Sequence, residues 1–470
     1  MKYLLPTVQF NTELLKKYDQ PLPRYTSYPP ATELRSDFGT LEYKQAIAAL
    51  NQRSSPLSVY VHIPFCQSAC YFCGCNVIIS NHKNIALPYL EYLIGEIQQT
   101  AAQLDSNKPV VQMHWGGGTP NYLTIEQVEL LWKVITRNFN LATDAEISIE
   151  INPRYIDKSY IQTLREIGFN RISFGIQDFN PQVQAAVNRI QSKELLFNVM
   201  DWIRQARFDS VNVDLIYGTP YQTLPTFEET IQNTVDLNPD RLAIFNFAYV
   251  PWLKPVQKKI AENTLPSPQE KLEILQMAIA ELTRNGYYYI GIDHFAKPDD
   301  ELAVAQRNGT LKRNFQGYTT QPDAELLGFR LTSISMLHDA YFQNHKRLQD
   351  YYQSIEQQQP PIEKGINLHR DDIIRREIIM QLMCHFWLPK QEIEAKYCLD
   401  FDTYFAPELV ALQALEADSL VRLLSDSINV TPTGRLLIRN IAVMFDSYLR
   451  DRAERNAGNE RNMANFSRAI

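Results

Sequence analysis

Six short runs of β-forming residues, separated by longer helical patterns, limit what this chain can fold into more than any other feature. They are Leu57–Ile63 (LSVYVHI), Val110–Trp115 (VVQMHW), Glu146–Ile151 (EISIEI), Arg171–Ile176 (RISFGI), Val211–Ile216 (VNVDLI) and Arg241–Phe247 (RLAIFNF). Strands alternating with helices at this spacing predict an α/β fold around a parallel sheet, curled or doubly wound. Helix boundaries between and after the runs are marked chemically. Thr124-Ile125-Glu126-Gln127 reads as a capping box, and Ser267-Pro268-x-Glu270 opens a helix that ends at Asn285-Gly286.

Parallel strands sealed on both faces read as nearly continuous Val, Ile and Leu. These do not. Ile147, Ile149 and Ile151 alternate with Glu146, Ser148 and Glu150, and Val211, Val213 and Leu215 with Asn212 and Asp214. Ser58, Tyr60 and His62 alternate with Val59, Val61 and Ile63, and Arg171, Ser173 and Gln177 oppose Ile172, Phe174 and Ile176. Side chains point to opposite faces in turn, so each strand offers one apolar face and one polar face. Four strands with the same split predict a polar lumen rather than an open sheet wetted on one side.

The chain of 470 residues is long enough for several folded units, and with 45% hydrophobic residues it is not of disordered composition. A net charge of −7 argues against non-specific nucleic-acid binding. No secretory pattern opens the sequence and no run of about 18 apolar residues occurs, so we expect a cytoplasmic protein without a membrane span. Residues 354–368 (SIEQQQPPIEKGINL) read as a linker. Beyond them helical patterns at Asp372–Phe386 and Leu436–Tyr448, with a β-like Ser427–Val430, predict a winged-helix-like domain over 369–470. Its 13 Lys/Arg against 15 Asp/Glu speak against DNA binding.

Cysteine is rare, yet four of the six, Cys66, Cys70, Cys73 and Cys75, fall within ten residues directly after the first strand. α/β folds place their sites at the C-terminal ends of strands. Four thiols on one loop predict a metal or cluster site rather than disulfides. Gly116, Gly117 and Gly118 follow the second strand in the same way. Cys384 and Cys398 fall in helical patterns and are expected to be buried structural residues.

The C-x3-C-x-F-C spacing at Cys66, Cys70 and Cys73 resembles the signature of radical S-adenosylmethionine (SAM) enzymes. PRYTSYP (23–29), VYVHIPFC, YFCGCN, HWGGGTP (114–120), EISIEINPR, QDFN, VNVDLIYG, DHFAKPDDELAVAQ (293–306), RNFQGYTTQ (313–321) and GRLLIRNI (434–441) further resemble the oxygen-independent coproporphyrinogen III oxidases, nearly end to end. The resemblance implies a partial (β/α)6-type barrel over 51–353, an N-terminal extension over 1–50 covering the active site, and the helical C-terminal domain. It implies a [4Fe–4S] cluster on Cys66, Cys70 and Cys73, two SAM molecules, and catalytic roles for Cys75, as a non-ligand, and Tyr60. Tyr60, Gly117, Glu150 and Ile334 match contacts to the cluster-bound SAM. Phe72, Gly118, Thr119, Gln177, Arg189, Asp214 and Ala248 match contacts to the second.

The implied reaction converts two propionates of coproporphyrinogen III to vinyls by a monomer whose electron donor and acceptor the sequence does not identify. Competing readings are a radical SAM paralogue with another substrate, a heme-binding chaperone, and an electron carrier with Cys75 as fourth ligand. Arg24, Arg435 and Arg439 are candidate propionate partners on charge alone, against plain surface placement. Arg330 stands where these oxidases typically have glycine, and Tyr249 where histidine is common. Arg330 is expected either to perturb the neighbourhood of Ile334, by backbone change or by filling space, or to add a carboxylate contact.

Overall fold

The computed structural model of the protein describes residues 8–455, so positions 1–7 and 456–470 of the terminal segments lie outside the described residues. Two compact units interleave along the sequence. One comprises residues 34–278 and 323–367; the other comprises 279–322 with the terminal segments up to residue 33 and from 368. The boundary expected at residue 50 therefore falls at 33, and residues 279–322 leave the unit formed by the six β/α repeats.

In the first unit the six runs form β1 (Leu57–Ile63), β2 (Pro109–Gly117), β3 (Asn140–Ile151), β4 (Arg171–Gln177), β5 (Ser210–Tyr217) and β6 (Arg241–Asn246). They pair in chain order, all parallel. A seventh parallel strand, β7 (Glu325–Phe329), docks on the other side of β1 and is followed by antiparallel β8 (Ile334–Met336), β9 (Ala340–Asn344) and β10 (Ile362–Asn367). The crossovers carry α1 (Ala86–Ala101), α2 (Ile125–Asn138), α3 (Lys158–Ile167), α4 (Lys193–Gln205) and α5 (Leu224–Leu237). Each buries one stripe. In α2 Val128, Leu131 and Ile135 recur at helical spacing, and in α4 Leu196, Val199, Met200 and Ile203 do so. The capping box at α2 forms as read, with Thr124 N–H donating to Gln127 Oε1 (3.0 Å) and Gln127 N–H to Thr124 Oγ1 (3.4 Å). Ser267 and Glu270 make the same exchange at the helix Pro268–Arg284.

The two-faced strand pattern is realised. Val59, Val61, Ile149, Ile151, Ile172, Phe174, Val213 and Leu215 are buried against the helices. Opposite them the register aligns polar rows across strands: Tyr60, His114 and Ser148 in one, Glu150, Ser173 and Asn212 in the next.

Two readings of the chain need correction. The stretch 354–368 is no linker. A helix α6 (Leu348–Glu356) runs into it with Tyr351 and Ile355 buried, and β10 fills its second half, paired with β9. Pro360 and Pro361 only separate the two elements, and ladder pairing overrides a polar composition. The helix expected over Leu436–Tyr448 is broken. Ile438–Ala442 passes through a single 3-10 turn, and Asp446, extended, accepts from the Leu449 N–H (3.0 Å) at the start of a new helix from Ser447.

The second unit combines two small hairpins, Tyr288–Gly291 with His294–Ala296 and Lys312–Asn314 with Gly317–Thr319, with a buried helix Arg370–His385. A three-stranded antiparallel sheet, with Ser427–Val430 between Trp387–Pro389 and Val421–Leu423, completes the winged-helix-like arrangement. Cys384 is buried as expected, but Cys398 is exposed. It occupies the left-handed position (φ +50) that ends the helix Lys390–Tyr397, a place set by backbone geometry rather than by core packing. Among the described residues no helix is long and apolar enough to cross a membrane.

Candidate active site

The loop after β1 carries Cys66, Cys70, Cys73 and Cys75 to the rim of a cavity of about 380 Å³. The C-terminal ends of β2 to β5 supply the rest: Gly117, Gly118 and Thr119, Glu150, Gln177 and Asp214, with Phe72 and Arg189 from the flanking loops. Twelve residues singled out from sequence thus meet on one space. Tyr60, Ala248 and Ile334 lie outside its lining. Tyr60 sits beneath it, stacked on His114 (5.8 Å between centroids) with its hydroxyl 3.0 Å from His62 Nδ1. The Ala248 carbonyl accepts from Gln257 Nε2 (3.1 Å), and Ile334 pairs with Gln343 in the antiparallel extension. Tyr249 packs into an apolar cluster with Ile216, Phe247, Ile260 and Phe72, its hydroxyl 3.4 Å from the Ile260 carbonyl.

The glycines are demanded by close approach. Gly117 has φ +112, and a Cβ there would stand 2.4 Å from His62 Nδ1. A Cβ on Gly118 would meet the Pro64 backbone at 2.6 Å, which cannot move aside because the Gly118 N–H is bonded to the Ile63 carbonyl (2.8 Å). This contact fixes the start of the cysteine loop against β2.

The carboxylates are held open. Glu150 accepts from the Gly117 N–H (3.2 Å), and its other oxygen lies 3.2 Å from His114 Nε2. Its side chain keeps 44% exposure into the cavity. Burial opposes ionisation of Glu150, but His114 and the Gly117 N–H outweigh it and hold the carboxyl below its ordinary range. His114 is itself set by Ser148 (2.6 Å). Asp214 receives Asn212 Nδ2 (3.0 Å), which also donates to Ser173 (2.9 Å). Sequence reasoning missed His114. The alternation rule extended to β2 would have placed Gln112 and His114 on the polar face.

The thiols Cys66, Cys70 and Cys73, carried on one loop to the rim of the cavity, fit a cluster. A cubane takes each thiolate on a different iron, and needs ligands spread around a cavity. Cationic groups stand ready to offset the thiolates. Arg154 Nη2 and Arg189 Nη1 lie 3.8 and 3.7 Å from Cys70 Sγ, and Arg189, 8% exposed, leaves its Nε without a partner. Burial pushes the Cys66 thiol up to about 11, with Thr119 Oγ1 at 3.2 Å opposing it. Cys75, exposed at the rim, shares a side-chain hydrogen bond with Cys73, which lowers the Cys73 thiol and raises that of Cys75.

Arg330 does not reach this cavity. It is fully buried at φ +89, the backbone region glycine favours, with its guanidinium over the rings of Tyr89 (3.2 Å), Tyr351 (4.3 Å) and Tyr352 (5.1 Å). Its N–H donates to Glu96 Oε2 (2.9 Å). The side chain fills space between β7, α1 and α6, the space-filling alternative of the two expected, and does not line the cavity.

The comparisons agree with this geometry. Residues 60–233 match the Radical SAM superfamily and residues 368–437 the HemN C-terminal domain. The chain is 60% identical to the oxygen-independent coproporphyrinogen III oxidase of Synechocystis sp. over the whole of both proteins. It is 49% identical to the Escherichia coli enzyme of that name, covering 98% of this chain and 99% of that one. Among solved structures, the coproporphyrinogen III oxidase (HemN) from Escherichia coli, described as a radical SAM enzyme, superposes with a TM-score of 0.90 at 48% identity, covering 94% of this chain and all of the other. A cysteine loop after the first strand, glycines pressed against it and acidic strand ends around one cavity thus recur in a chain that belongs to the oxygen-independent coproporphyrinogen III oxidase family of radical SAM enzymes.

Proposed function

We propose that the chain converts two propionate side chains of coproporphyrinogen III to vinyl groups, giving protoporphyrinogen IX within porphyrin biosynthesis in the cytoplasm. The observation that carries this is the single cavity shared by the three cysteines and the polar ends of four successive strands. Each propionate loses a hydrogen atom from its β-carbon, then CO2 and one electron, which leaves the vinyl. Cys66, Cys70 and Cys73 are the residues to hold a [4Fe–4S] cluster. When bound with SAM it supplies the electron that cleaves the sulfonium and so produces the carbon radical that abstracts hydrogen.

The chain's own groups do the binding and orienting. Glu150 and Asp214 are acceptors suited to ribose hydroxyls and to the methionyl ammonium, and Gly117 and Gly118 let the backbone approach without a Cβ. Arg189, with a free Nε, suits a methionyl carboxylate. Tyr60 and His62 brace the floor through their 3.0 Å contact. Two SAM molecules rather than one follow from the family resemblance, in which Phe72, Gly118, Thr119, Gln177, Arg189, Asp214 and Ala248 match contacts to a second SAM. Cys75, exposed at the rim of the same cavity, is assigned as a thiol for the reaction rather than as a ligand.

Anaerobic incubation of the iron-reconstituted protein with SAM, a one-electron reductant and coproporphyrinogen III tests this. We expect protoporphyrinogen IX, CO2, methionine and 5′-deoxyadenosine to appear together. SAM cleavage without product would favour a paralogue with another substrate, and heme retention without SAM cleavage would favour a chaperone. Cys75→Ser should keep the iron–sulfur absorbance and lose turnover. Loss of iron in that variant would make Cys75 a ligand.

A further inference from the structure

Four of the sequence motifs shared with the family have no place in the cavity, yet they meet in the second unit. PRYTSYP, DHFAKPDD, RNFQGYTTQ and GRLLIRNI bring Arg24, Asp293 with His294, Arg313 with Tyr318, and Arg439 into one cluster. Arg24 pairs with Asp293, whose other oxygen lies 2.7 Å from His294 Nδ1. The backbone on either side of Arg24 is gripped by the other two arginines. Arg439 donates to the carbonyls of Leu22 and, at 3.0 Å, Pro23, and Arg313 Nε to that of Tyr25 (3.3 Å). Arg313 also lies over the Tyr318 ring (4.2 Å), which meets the His294 ring edge-on (5.2 Å).

Surface placement, the plainer expectation for these arginines, does not hold for Arg439, which is 4% exposed, and Arg313 is equally buried. Three guanidiniums and an imidazole therefore surround one carboxylate. Asp446, the next acid, is committed to the Tyr25 hydroxyl (3.0 Å), and burial pushes it up to about 6. Burial, reinforced by the charge of Arg24, lowers Arg439 to about 10, with Tyr25 and Asp293 opposing it. Gathering buried cations this way costs stability unless an anion arrives. Arg313 is the group that awaits one: 96% buried by its 4% exposure, it has no hydrogen-bond partner for Nη1. The cluster opens outward at Arg24, whose side chain is 36% exposed.

We propose that this cluster is a carboxylate-binding site of the second unit that takes a propionate of the tetrapyrrole substrate, a reading that rests on the proposed activity. Arg24 and Arg313 hold the carboxylate, Arg439 fixes the segment that carries Arg24, and Asp293 and His294 orient the Arg24 guanidinium.

The test uses the full chain without reconstitution and coproporphyrin III, the aromatic, air-stable form of the macrocycle with the same four propionates, titrated by fluorescence. Wild-type protein should bind it tightly and bind the tetra-amide of the same macrocycle weakly. Arg24→Gln and Arg313→Gln should each weaken binding of the acid roughly tenfold, the loss of one charge-assisted bond, while leaving the tetra-amide unchanged. Arg313→Lys should recover part of the loss. Should Arg313→Gln fail to fold, Arg24→Gln, at the exposed edge, carries the test. Wild-type affinity in both Gln variants, or equal weakening of acid and amide, overturns the site. If wild-type protein releases CO2 from coproporphyrinogen III but the variants bind as it does, the site alone is wrong. If wild-type protein neither binds the porphyrin nor releases CO2, both readings fall.

Discussion

The first unit contains two dense polar clusters, and they are built on opposite principles. Around the cavity, Glu150, Asp214, Gln177 and Arg189 line one shared open space. Around Arg330, the acceptors are met from within, and the guanidinium, whose Nε and Nη1 have no hydrogen-bond partner, is covered by aromatic rings. Glu96 receives Tyr351 Oη (2.5 Å), Asn344 Nδ2 (2.6 Å) and the Arg330 N–H, while Tyr352 stacks on Tyr92 (3.8 Å). A link joins them: Tyr89, beneath the Arg330 guanidinium, donates to the His62 carbonyl (2.5 Å) at the end of β1. The difference separates binding from bracing. Open acceptors are costly to leave unmet and are retained where a ligand meets them, whereas closed networks set shape.

Substitutions should respect that division. The largest effect is expected at the cavity. Glu150→Gln should raise the SAM dissociation constant at least about tenfold, some 1.4 kcal/mol, with the melting temperature nearly unmoved; equilibrium dialysis under anaerobic conditions measures it. A large fall in melting temperature with unchanged affinity would make Glu150 part of the frame instead. At the cage the pattern should invert. Arg330→Ala should cost about 2–4 kcal/mol of stability in denaturant titrations, from the cavity and the lost cation–π contacts, and leave SAM affinity alone. Arg330→Gly should recover about 1 kcal/mol of that, because only glycine takes φ +89 without strain. Equal losses in the two variants would mean the backbone there is not strained.

The smallest effect concerns pH. Burial raises Glu96 to about 7, with Tyr351 and the Arg330 charge opposing it. The folded state then holds a proton that the unfolded chain has released, so this group's contribution falls as pH rises from the ordinary glutamate range to about 7, and is level above. Glu96→Gln should flatten that segment of the stability–pH curve. An unchanged slope would assign the titration to another buried acid such as Asp178, which burial raises to about 6.

Legibility followed distance along the chain. The strands, the capping boxes at Thr124 and Ser267, and the polar parity of Glu150 and Asp214 depend on neighbours a few residues away, and the structure repeats them. The linker reading failed at 354–368 because a partner strand distant in sequence supplies the ladder that local composition does not suggest. The helix reading failed at Leu436–Tyr448 because one aspartate can restart a helix where periodicity runs on. Arg330 was visible as an anomaly, but its cage draws on α1 and α6, separated from it by more than two hundred residues in one case.

By itself, then, the sequence determined the β/α repeat, the polar inner face, and a cysteine loop with matching glycines, because alternation, capping and ligand spacing are short-range rules. It also carried PRYTSYP, whose Arg24 was a propionate candidate on charge alone, and RNFQGYTTQ as a family motif with no residue role assigned. Only the tertiary structure decided that Cys75 sits beside Cys73 on the cavity rim, that Arg330 turns away from the cavity, and that Arg24, Arg313 and Arg439 gather around one aspartate. Charges interact through space, and which of them share a low-dielectric neighbourhood is settled by folding and not by order along the chain.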